Sequence, residues 1–360
     1  MSRFLSRRFA GLEAYAPGEQ PQDMRYVKLN TNESPFPPSP EVIAAVSPRE
    51  VERLNLYPDP TCAVLRQKLA DLYGLAPDNV FVSNGSDDIL NFAFMAFCDE
   101  SRPVAFPSVS YGFYPVYAQL YRLPCEAVPL REGFRLEPED YCGIGKNIVI
   151  ANPNAPTGRA ISVGDIERIV RSNPDHVVLI DEAYVDFGAE SCRGLIPRYE
   201  NLLVCQTFSK SRSMAGGRLG FALGSPALID DLNRIKFSTN PYNINRLTLA
   251  AAQAAVDSND YYVENAARIA QNRAYTVDEL AKLGFETVPS LANFIFTRCP
   301  RMEGGALYRA LKTRGVLVRH WDKPEISDYC RVTIGSREQM EVFLETVKTI
   351  LKEADEHARF

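Results

Sequence analysis

The chain has 360 residues, of which 46% are hydrophobic and 24% charged, and its formal net charge is -5. This length predicts two domains, or one large domain with a smaller partner, and the mildly acidic balance argues against a nucleic-acid surface. Eight cysteines form no CxxC pair and three histidines show no metal spacing, so a disulfide framework and a metal site are both disfavoured. Neither a signal peptide nor a membrane span is recognisable, which predicts a cytoplasmic protein without a membrane partner.

The first part of the chain predicts an arm followed by a helix. Residues 17–60 are rich in Pro and Asn, which favours extended structure over regular elements. Residues 62–73 suit an amphipathic helix, because Leu65, Leu69 and Leu72 share one stripe.

Short apolar runs then alternate with segments of helical length. The runs are continuous rather than alternating in polarity, as strands buried on both faces should be. They are residues 80–82, 104–106, 148–150, 177–180, 202–204 and 219–223. This alternation predicts a three-layer α/β/α domain.

The last hundred residues predict a smaller α+β domain. Residues 257–283 indicate a long polar helix that links the domains, and Ser336 to Gln339 fits a capping box before a helix with an apolar face. We therefore expect an arm at residues 1–40, a large domain at 41–256 and a small C-terminal domain at 257–360.

A candidate phosphate site follows the first strand of the large domain. Residues 83–88, Ser-Asn-Gly-Ser-Asp-Asp, lie between this strand and an apolar helix predicted at 89–98. Gly85 permits a tight turn, and the free N–H groups of a helix N-terminus bind phosphate. The alternative is an ordinary connection in which Ser86 or Asp87 is the N-cap.

Three charged residues near strand ends could carry chemistry. Asp181 ends an apolar run, where a carboxylate is costly unless paired, and a pyridinium N–H is one such partner. Lys210 also follows a strand; most lysines are on the surface, but a desolvated one can form a Schiff base with an aldehyde. Arg218, beside two glycines, could clamp a phosphate. Together these are the groups that a pyridoxal-5′-phosphate (PLP) site needs.

With these motifs in order, the chain resembles the fold-type I PLP-dependent aminotransferases, and within them the histidinol-phosphate aminotransferases. The resemblance covers nearly the whole chain and rests on residues 26–35, 56–60, 83–88, 152–158, 181–184, 209–210, 218–220 and 330–336. It implies a large α/β domain with a mixed, mostly parallel sheet, a smaller α+β domain, and an arm that contributes to the small domain and to a homodimer.

The resemblance also implies roles around the cofactor. Lys210 would hold PLP as a Schiff base and carry the proton, Asp181 would pair with the pyridine nitrogen, and Tyr184 and Asn154 would hydrogen-bond the ring hydroxyl. Relatives often have a second Asn directly before Pro-Thr-Gly, where this chain has Ala155. Tyr111 would stack on the ring, unless it is an ordinary core aromatic. The phosphate ligands would be Ser86, Asp87, Ser209, Arg218 and, from the neighbouring subunit, Tyr57.

For the substrate, the resemblance places an anion clamp at Arg331. Arg319 could assist it, since two arginines suit a dianion, or could instead be a surface salt-bridge residue. Tyr15 and Asn293 are open between substrate binding and plain packing.

The implied reaction is transamination between histidinol phosphate and 2-oxoglutarate, a step of histidine biosynthesis. The alternatives are an aromatic amino acid aminotransferase and a threonine-phosphate decarboxylase of cobalamin synthesis. A PLP-binding regulatory module is disfavoured, because the segment before residue 30 is too short for an added DNA-binding domain.

Overall fold

The computed structural model of the chain describes residues 2–357. The α-helices are α1 (Pro40–Ala45), α2 (Pro48–Glu52), α3 (Ala63–Tyr73), α4 (Ser86–Phe97), α5 (Phe113–Tyr121), α6 (Val163–Ser172), α7 (Pro226–Thr239), α8 (Arg246–Asp257), α9 (Asn259–Lys282), α10 (Gly304–Thr313) and α11 (Arg337–His357). The strands are β1 (Val27–Lys28), β2 (Val80–Ser83), β3 (Val104–Pro107), β4 (Cys125–Val128), β5 (Asn147–Ala151), β6 (Val178–Asp181), β7 (Leu202–Thr207), β8 (Gly220–Gly224), β9 (Glu286–Val288), β10 (Phe294–Arg298), β11 (Val316–Leu317), β12 (Arg319–His320) and β13 (Tyr329–Thr333).

A seven-stranded sheet forms the centre of the larger part, in the order β2-β8-β7-β6-β5-β3-β4. Strand β8 runs antiparallel to both its neighbours, and the remaining pairs are parallel. Side chains alternate between the two faces of each strand, so Ile148 and Val178 pack with α3, α6 and α8, while Val149 and Leu179 pack with α4, α5 and α7. The predicted three-layer architecture is confirmed.

A four-stranded antiparallel sheet, β12-β13-β10-β9, forms the smaller part. Its core joins Phe294 on β10 with Leu307 on α10 and with Met340, Phe343 and Val347 on α11. The N-terminal arm is tied to this part because β1 pairs in parallel with β11. The predicted smaller α+β unit is therefore present, while the proposed limits at residues 40 and 256 stay predictions.

The structure differs from the expected elements in two places. The expectation of a purely extended arm is wrong within residues 40–52, because Pro40 and Pro48 each occupy the first turn of a short helix, where proline is tolerated. Helix α4 begins at Ser86 rather than residue 89, with Gly85 as its N-cap. The N-cap alternative for Ser86 and Asp87 is therefore wrong, since both lie inside the first turn.

The C-terminal capping box is confirmed. The Gln339 side chain accepts a hydrogen bond from the Ser336 backbone N–H at 2.9 Å, and the Gln339 N–H donates to Ser336 Oγ at 3.3 Å. Among the helices of residues 2–357, none is both long and apolar enough to cross a membrane.

Candidate active site

A cavity of about 400 Å³ lies where the ends of β6 and β7, the N-terminus of α4, the arm and the small sheet meet. Most of the predicted site residues line it: Tyr15, Ser86, Asp87, Tyr111, Asp181, Tyr184, Ser209, Lys210, Arg218, Arg319 and Arg331. Three do not line it, namely Tyr57, Asn154 and Asn293. In the described part of the chain, no group of three or more His, Cys, Asp or Glu side chains is placed to hold a metal ion.

One end of the cavity is a cradle for an anion at the N-terminus of α4. Gly85 adopts a φ of 90°, which lets the chain turn sharply from β2 into the helix. Gly220 on β8 lies so close that a Cβ there would meet Ser86 N at 2.6 Å. Ser86 and Asp87, the first two residues of α4, line the cavity, and the free backbone N–H groups of a helix N-terminus suit a phosphate.

Arg218 completes this cradle from the opposite side. Its Nη1 donates to Ser209 Oγ at 3.4 Å, and its Nη2 lies 3.3 Å from Asp87 Oδ2. The guanidinium side chain remains 47% exposed, so its pairing with Asp87 leaves donors free for an incoming anion. A phosphate group fits this set of donors.

Asp181 lies buried at the centre of the sheet edge. Its Oδ2 accepts a hydrogen bond from the Tyr114 hydroxyl at 2.9 Å, and its Oδ1 accepts one from the Ala183 N–H at 3.2 Å. Burial raises the pKa of the Asp181 carboxyl to about 6. Within residues 2–357 no basic side chain forms an ion pair with it, so the Asp181 carboxyl is available to a cationic group that enters the cavity.

Lys210 lines the same cavity, three residues after the end of β7. Its Nζ donates to the Thr31 carbonyl at 3.1 Å and stands 5.8 Å from the centre of the Tyr184 ring. Burial first, and then the positive charge of Arg331, lowers the pKa of the Lys210 amine to about 8. A larger fraction of this amine is therefore neutral near pH 7 than for a surface lysine, and the neutral amine is the nucleophile.

The other end of the cavity carries two arginines from the small sheet. Arg319 and Arg331 are directly opposite each other in the β12–β13 register. Arg331 Nη2 donates to the Asn30 carbonyl at 2.8 Å, and Arg319 donates to the carbonyls of Ala16 and Pro17 at 3.0 and 3.1 Å. Neither forms an ion pair with a carboxylate of the described residues, so the salt-bridge interpretation of Arg319 is not supported.

Residues 25–347 match the family described as aminotransferase class I and II. The chain belongs to this family. A histidinol-phosphate aminotransferase from Marinomonas sp. (strain MWYL1) is 48% identical, over 97% of this chain and 100% of the relative. One from Clostridium botulinum (strain Langeland) is 46% identical over 98% of this chain and 99% of the relative. Among solved structures, a histidinol-phosphate aminotransferase from Sinorhizobium meliloti in complex with PLP superposes with a TM-score of 0.85 at 22% identity, covering 97% and 100% of the two chains.

Asn154 lies beside the cavity of this aminotransferase without reaching it. Its amide donates to the Val109 carbonyl and to Thr157 Oγ1, each at 3.0 Å, and its carbonyl oxygen accepts from Ser110 Oγ at 2.7 Å. The next residue, Ala155, lines the cavity instead. The side chain of Asn154 therefore joins this loop to the loop of Val109 and Ser110, and its contact with a ring hydroxyl stays a prediction.

Tyr57 and Asn293 lie away from the cavity for different reasons. Tyr57 is 78% exposed and stacks on Tyr242 with ring centres 4.4 Å apart, on the outside of the chain. Asn293 is fully buried, and its amide donates to the Asn32 carbonyl at 2.9 Å. Asn293 thus supports the cavity wall from behind, through Asn32, whereas Tyr57 is largely exposed outside the cavity.

Tyr15 does line the cavity. It stacks on Phe113, with ring centres 4.2 Å apart, and burial raises the pKa of its hydroxyl. The Tyr111 hydroxyl donates to Asp87 Oδ1 at 2.7 Å, which fixes the Tyr111 ring beside the phosphate cradle.

Two cavity contacts were missed by reasoning from sequence. Tyr114 donates to Asp181, and Asn32 donates from its amide to the Tyr184 hydroxyl at 3.0 Å. Both residues lie in segments already singled out, Tyr114 three positions after Tyr111 and Asn32 in the Asn-Thr-Asn-Glu run. The sequence carried no signal for their partners, because each contact joins segments far apart in the chain.

Proposed function

We propose that this aminotransferase transfers the amino group of histidinol phosphate to 2-oxoglutarate, a step of histidine biosynthesis, with PLP bound through Lys210. The observation that carries the proposal is the pair of arginines facing the same cavity as Lys210 and Asp181. A substrate with a phosphate and no carboxylate needs a strong anion site, and two guanidinium groups match a dianion. The names of the full-length relatives at 46–48% identity support the same substrate.

The residues fit PLP at each of its polar groups. The cradle formed by Ser86, Asp87, Ser209 and Arg218 would hold the phosphate, and Asp181 would hold the ring nitrogen. Of the two residues predicted to contact the ring hydroxyl, Tyr184 lines the cavity and Asn154 lies beside it, so we assign the contact to Tyr184. When bound, PLP supplies an aldehyde for the Schiff base and a pyridinium ring that accepts electrons from the substrate Cα.

The protein's own groups then move the proton and hold the reactants. Lys210 Nζ takes the proton from the substrate Cα as a base and later returns it, a role suited to an amine whose pKa is lowered to about 8. The Asp181 carboxylate stabilises positive charge on the ring nitrogen, and the Tyr114 hydroxyl orients that carboxylate. Arg331 and Arg319 anchor the far end of the substrate, which fixes its Cα near Lys210.

A panel of single half-reactions tests this proposal. The PLP-loaded enzyme is mixed with histidinol phosphate, Phe, Tyr, Glu or threonine phosphate, and the cofactor absorbance is followed while carbon dioxide is measured. We expect the highest kcat/KM with histidinol phosphate, a reaction with Glu and no carbon dioxide. A preference for Phe or Tyr would favour the aromatic alternative, and carbon dioxide from threonine phosphate would favour the decarboxylase.

We also propose that the enzyme acts as a homodimer in which Tyr57 reaches the phosphate cradle of the neighbouring subunit. Exposed large apolar side chains are frequent in the segment around Tyr57, which carries Ile43, Val46, Val51, Leu54, Leu56 and Val64, and Tyr57 itself stacks on the exposed Tyr242. Exposed apolar side chains that form a patch are typical of an interface. Arg246 holds the segment in place by donating to the Tyr57 carbonyl at 3.2 Å.

Mixed dimers test the role of Tyr57. Subunits with Tyr57→Phe and subunits with Lys210→Ala are combined and allowed to exchange. If Tyr57 acts across the interface, each mixed dimer gains one site with neither defect, and activity exceeds the average of the two parents. An activity equal to that average would place Tyr57 in its own subunit or outside the reaction.

The eight cysteines are all free thiols, which suits a reducing compartment. We therefore propose the cytoplasm as the location of this enzyme.

A further inference from the structure

The tryptophan of this chain lies between the two arginines of the anion end. Trp321 is the sole Trp in the sequence and follows β12 by one residue. The guanidinium carbons of Arg319 and Arg331 each stand 5.3 Å from the centre of its ring. Trp321 also lines both the main cavity and a second cavity of about 500 Å³ that opens beside it. The same indole ring thus lies within cation–π distance of both cations that the proposed substrate would meet.

The placement of these arginines needs a compensating interaction. Because Arg319 and Arg331 are directly opposite on antiparallel strands, their side chains leave the same face of the sheet, and like charges in this arrangement repel. Neither guanidinium is neutralised by a carboxylate of residues 2–357. Burial is the main cause that lowers the pKa of Arg331, and the positive charge of Arg319 lowers it further.

An indole ring can supply such an interaction without neutralising the charge. The negative face of an aromatic ring attracts a cation within about 6 Å of its centre, and Trp is the strongest of the aromatic residues in this respect. A carboxylate in the same place would pair with the guanidinium groups and compete with an anionic substrate. The ring therefore keeps both cations in place without occupying the N–H donors that the backbone carbonyls leave unused.

Free donors are present at this point of the structure. Arg331 Nε is buried and has no hydrogen-bond partner among residues 2–357, although Nη2 of the same side chain donates to the Asn30 carbonyl. A buried donor without a partner carries a desolvation penalty that an incoming anion would remove. The unpaired Nε is an observation independent of the ring geometry, and it indicates an anion at this position.

We propose that Trp321 is a positioning residue that holds the guanidinium groups of Arg319 and Arg331 side by side, and thereby sets the preference of this site for a phosphate dianion over a single carboxylate. The inference rests on the proposed function, because it assigns the anion end of the cavity to the substrate. A dianion needs both guanidinium groups at once, whereas a carboxylate is satisfied by one. Loss of the ring should therefore weaken phosphate binding more than carboxylate binding.

The test compares Trp321→Leu, Trp321→Phe and the control Tyr275→Leu in the PLP-loaded enzyme. Tyr275 also faces an arginine, Arg337 at 3.7 Å, but lies on α9 outside the cavity. We expect Trp321→Leu to raise the KM for histidinol phosphate and the Kd for inorganic phosphate about tenfold, and the KM for glutamate about threefold or less, with kcat nearly unchanged. Trp321→Phe keeps an aromatic face, so its KM for histidinol phosphate and its Kd for phosphate should stay within about threefold of the wild-type values. Tyr275→Leu should have the wild-type values.

Intrinsic fluorescence gives a second measurement that does not depend on any variant folding. Because Trp321 is the sole tryptophan, saturable quenching or shifting of the wild-type emission by inorganic phosphate reports an anion beside that ring. Equal phosphate affinity in Trp321→Leu and wild type, or no phosphate-dependent change in emission, would overturn the inference.

These results separate the inference from the proposed function. A wild-type enzyme that fails to transaminate histidinol phosphate contradicts the proposed function, yet a weaker phosphate affinity in Trp321→Leu would still support the role of Trp321. Conversely, an active wild type with unaltered phosphate binding in Trp321→Leu overturns the role of Trp321 alone.

Discussion

The two ends of the cavity handle charge in opposite ways. At the end formed by the large sheet, Arg218 lies beside Asp87 and the Asp181 carboxylate accepts two hydrogen bonds. At the end formed by the small sheet, Arg319 and Arg331 rest on backbone carbonyls and an indole ring, with no carboxylate partner among residues 2–357. The first end suits a resident group held by fixed contacts, and the second suits a charged molecule that enters and leaves.

This difference follows from what each end must do in a transaminase. A cofactor stays bound through many turnovers. Donors and acceptors that are already oriented in the free site can therefore hold it without rearranging in each turnover. A substrate must be released, and two successive substrates must use one site. Two cations without a carboxylate partner in the described part of the chain attract either anion. Their hydrogen bonds to backbone carbonyls stabilise the guanidinium groups while the site is empty.

The largest effect is expected for Lys210→Ala, which removes the only proposed group that both bonds PLP and moves the proton. We expect kcat to fall by at least about 10³-fold, since acid–base catalysis alone contributes about 10²–10⁴. The cradle should still bind PLP, and far-ultraviolet circular dichroism should be unchanged. Borohydride reduction and peptide mapping of the wild type should place the label on Lys210. A label on another lysine would contradict the assignment of the Schiff base to Lys210. Lys68→Ala, on the exposed face of α3, serves as the control.

A second prediction concerns Asp181→Asn in the PLP-free protein. The pKa of Asp181 is raised from 3.8 to about 6, because the folded protein favours the protonated carboxyl. The free energy of unfolding is therefore highest below pH 4 with respect to this group, and it falls as the pH rises through 6. Above pH 6 the buried carboxylate costs about 3 kcal/mol relative to the unfolded chain. Asn cannot ionise, so urea unfolding should show the variant gaining up to about 3 kcal/mol over wild type between pH 4 and 7.

The same variant should lose function while it gains apoprotein stability. An amide cannot stabilise a positive ring nitrogen as a carboxylate does, so removal of the substrate proton should slow in single-turnover measurements. If the difference in free energy of unfolding does not change from pH 4 to 7, the pKa of Asp181 is not raised by burial. If the single-turnover rate is unchanged, Asp181 is not the partner of the ring nitrogen.

A smaller effect is expected at the other end for Arg331→Lys. Lysine keeps the charge but loses the planar fork, and one lost charge-assisted hydrogen bond costs about 1.5–3 kcal/mol. The kcat/KM should therefore fall about tenfold to hundredfold with histidinol phosphate and with glutamate, while PLP affinity stays the same. Arg298→Lys, which alters an arginine paired with Glu286 on the same sheet, should change neither. A fall with glutamate alone would mean that the phosphate is held elsewhere.

Contacts within one segment were predictable from sequence, and contacts between segments were less so. Gly85 and Ser86 could be assigned to a phosphate cradle because a strand, a glycine and a helix start lie next to one another in the chain. The direction of the Asn154 side chain could not be predicted in this way, because it depends on hydrogen bonds with Ser110 and Val109, which belong to another loop. Tyr114 and Asn32 were missed because their partners lie 67 and 152 positions away. Trp321 was missed because only the strand register brings Arg331 and Arg319 together beside it.

By itself the sequence determined the layered α/β architecture, the strand ends that carry Asp181 and Lys210, and the family to which the chain belongs. These follow from periodicity and from short motifs, in which neighbours in the chain are also neighbours in space. The tertiary structure alone decided which face of the cavity receives each charge: the arm brings the Thr31 carbonyl to Lys210, and strand register sets Arg319 beside Arg331. Such pairings depend on how sheets and arm pack together, and packing of distant segments leaves no periodic trace in a single sequence.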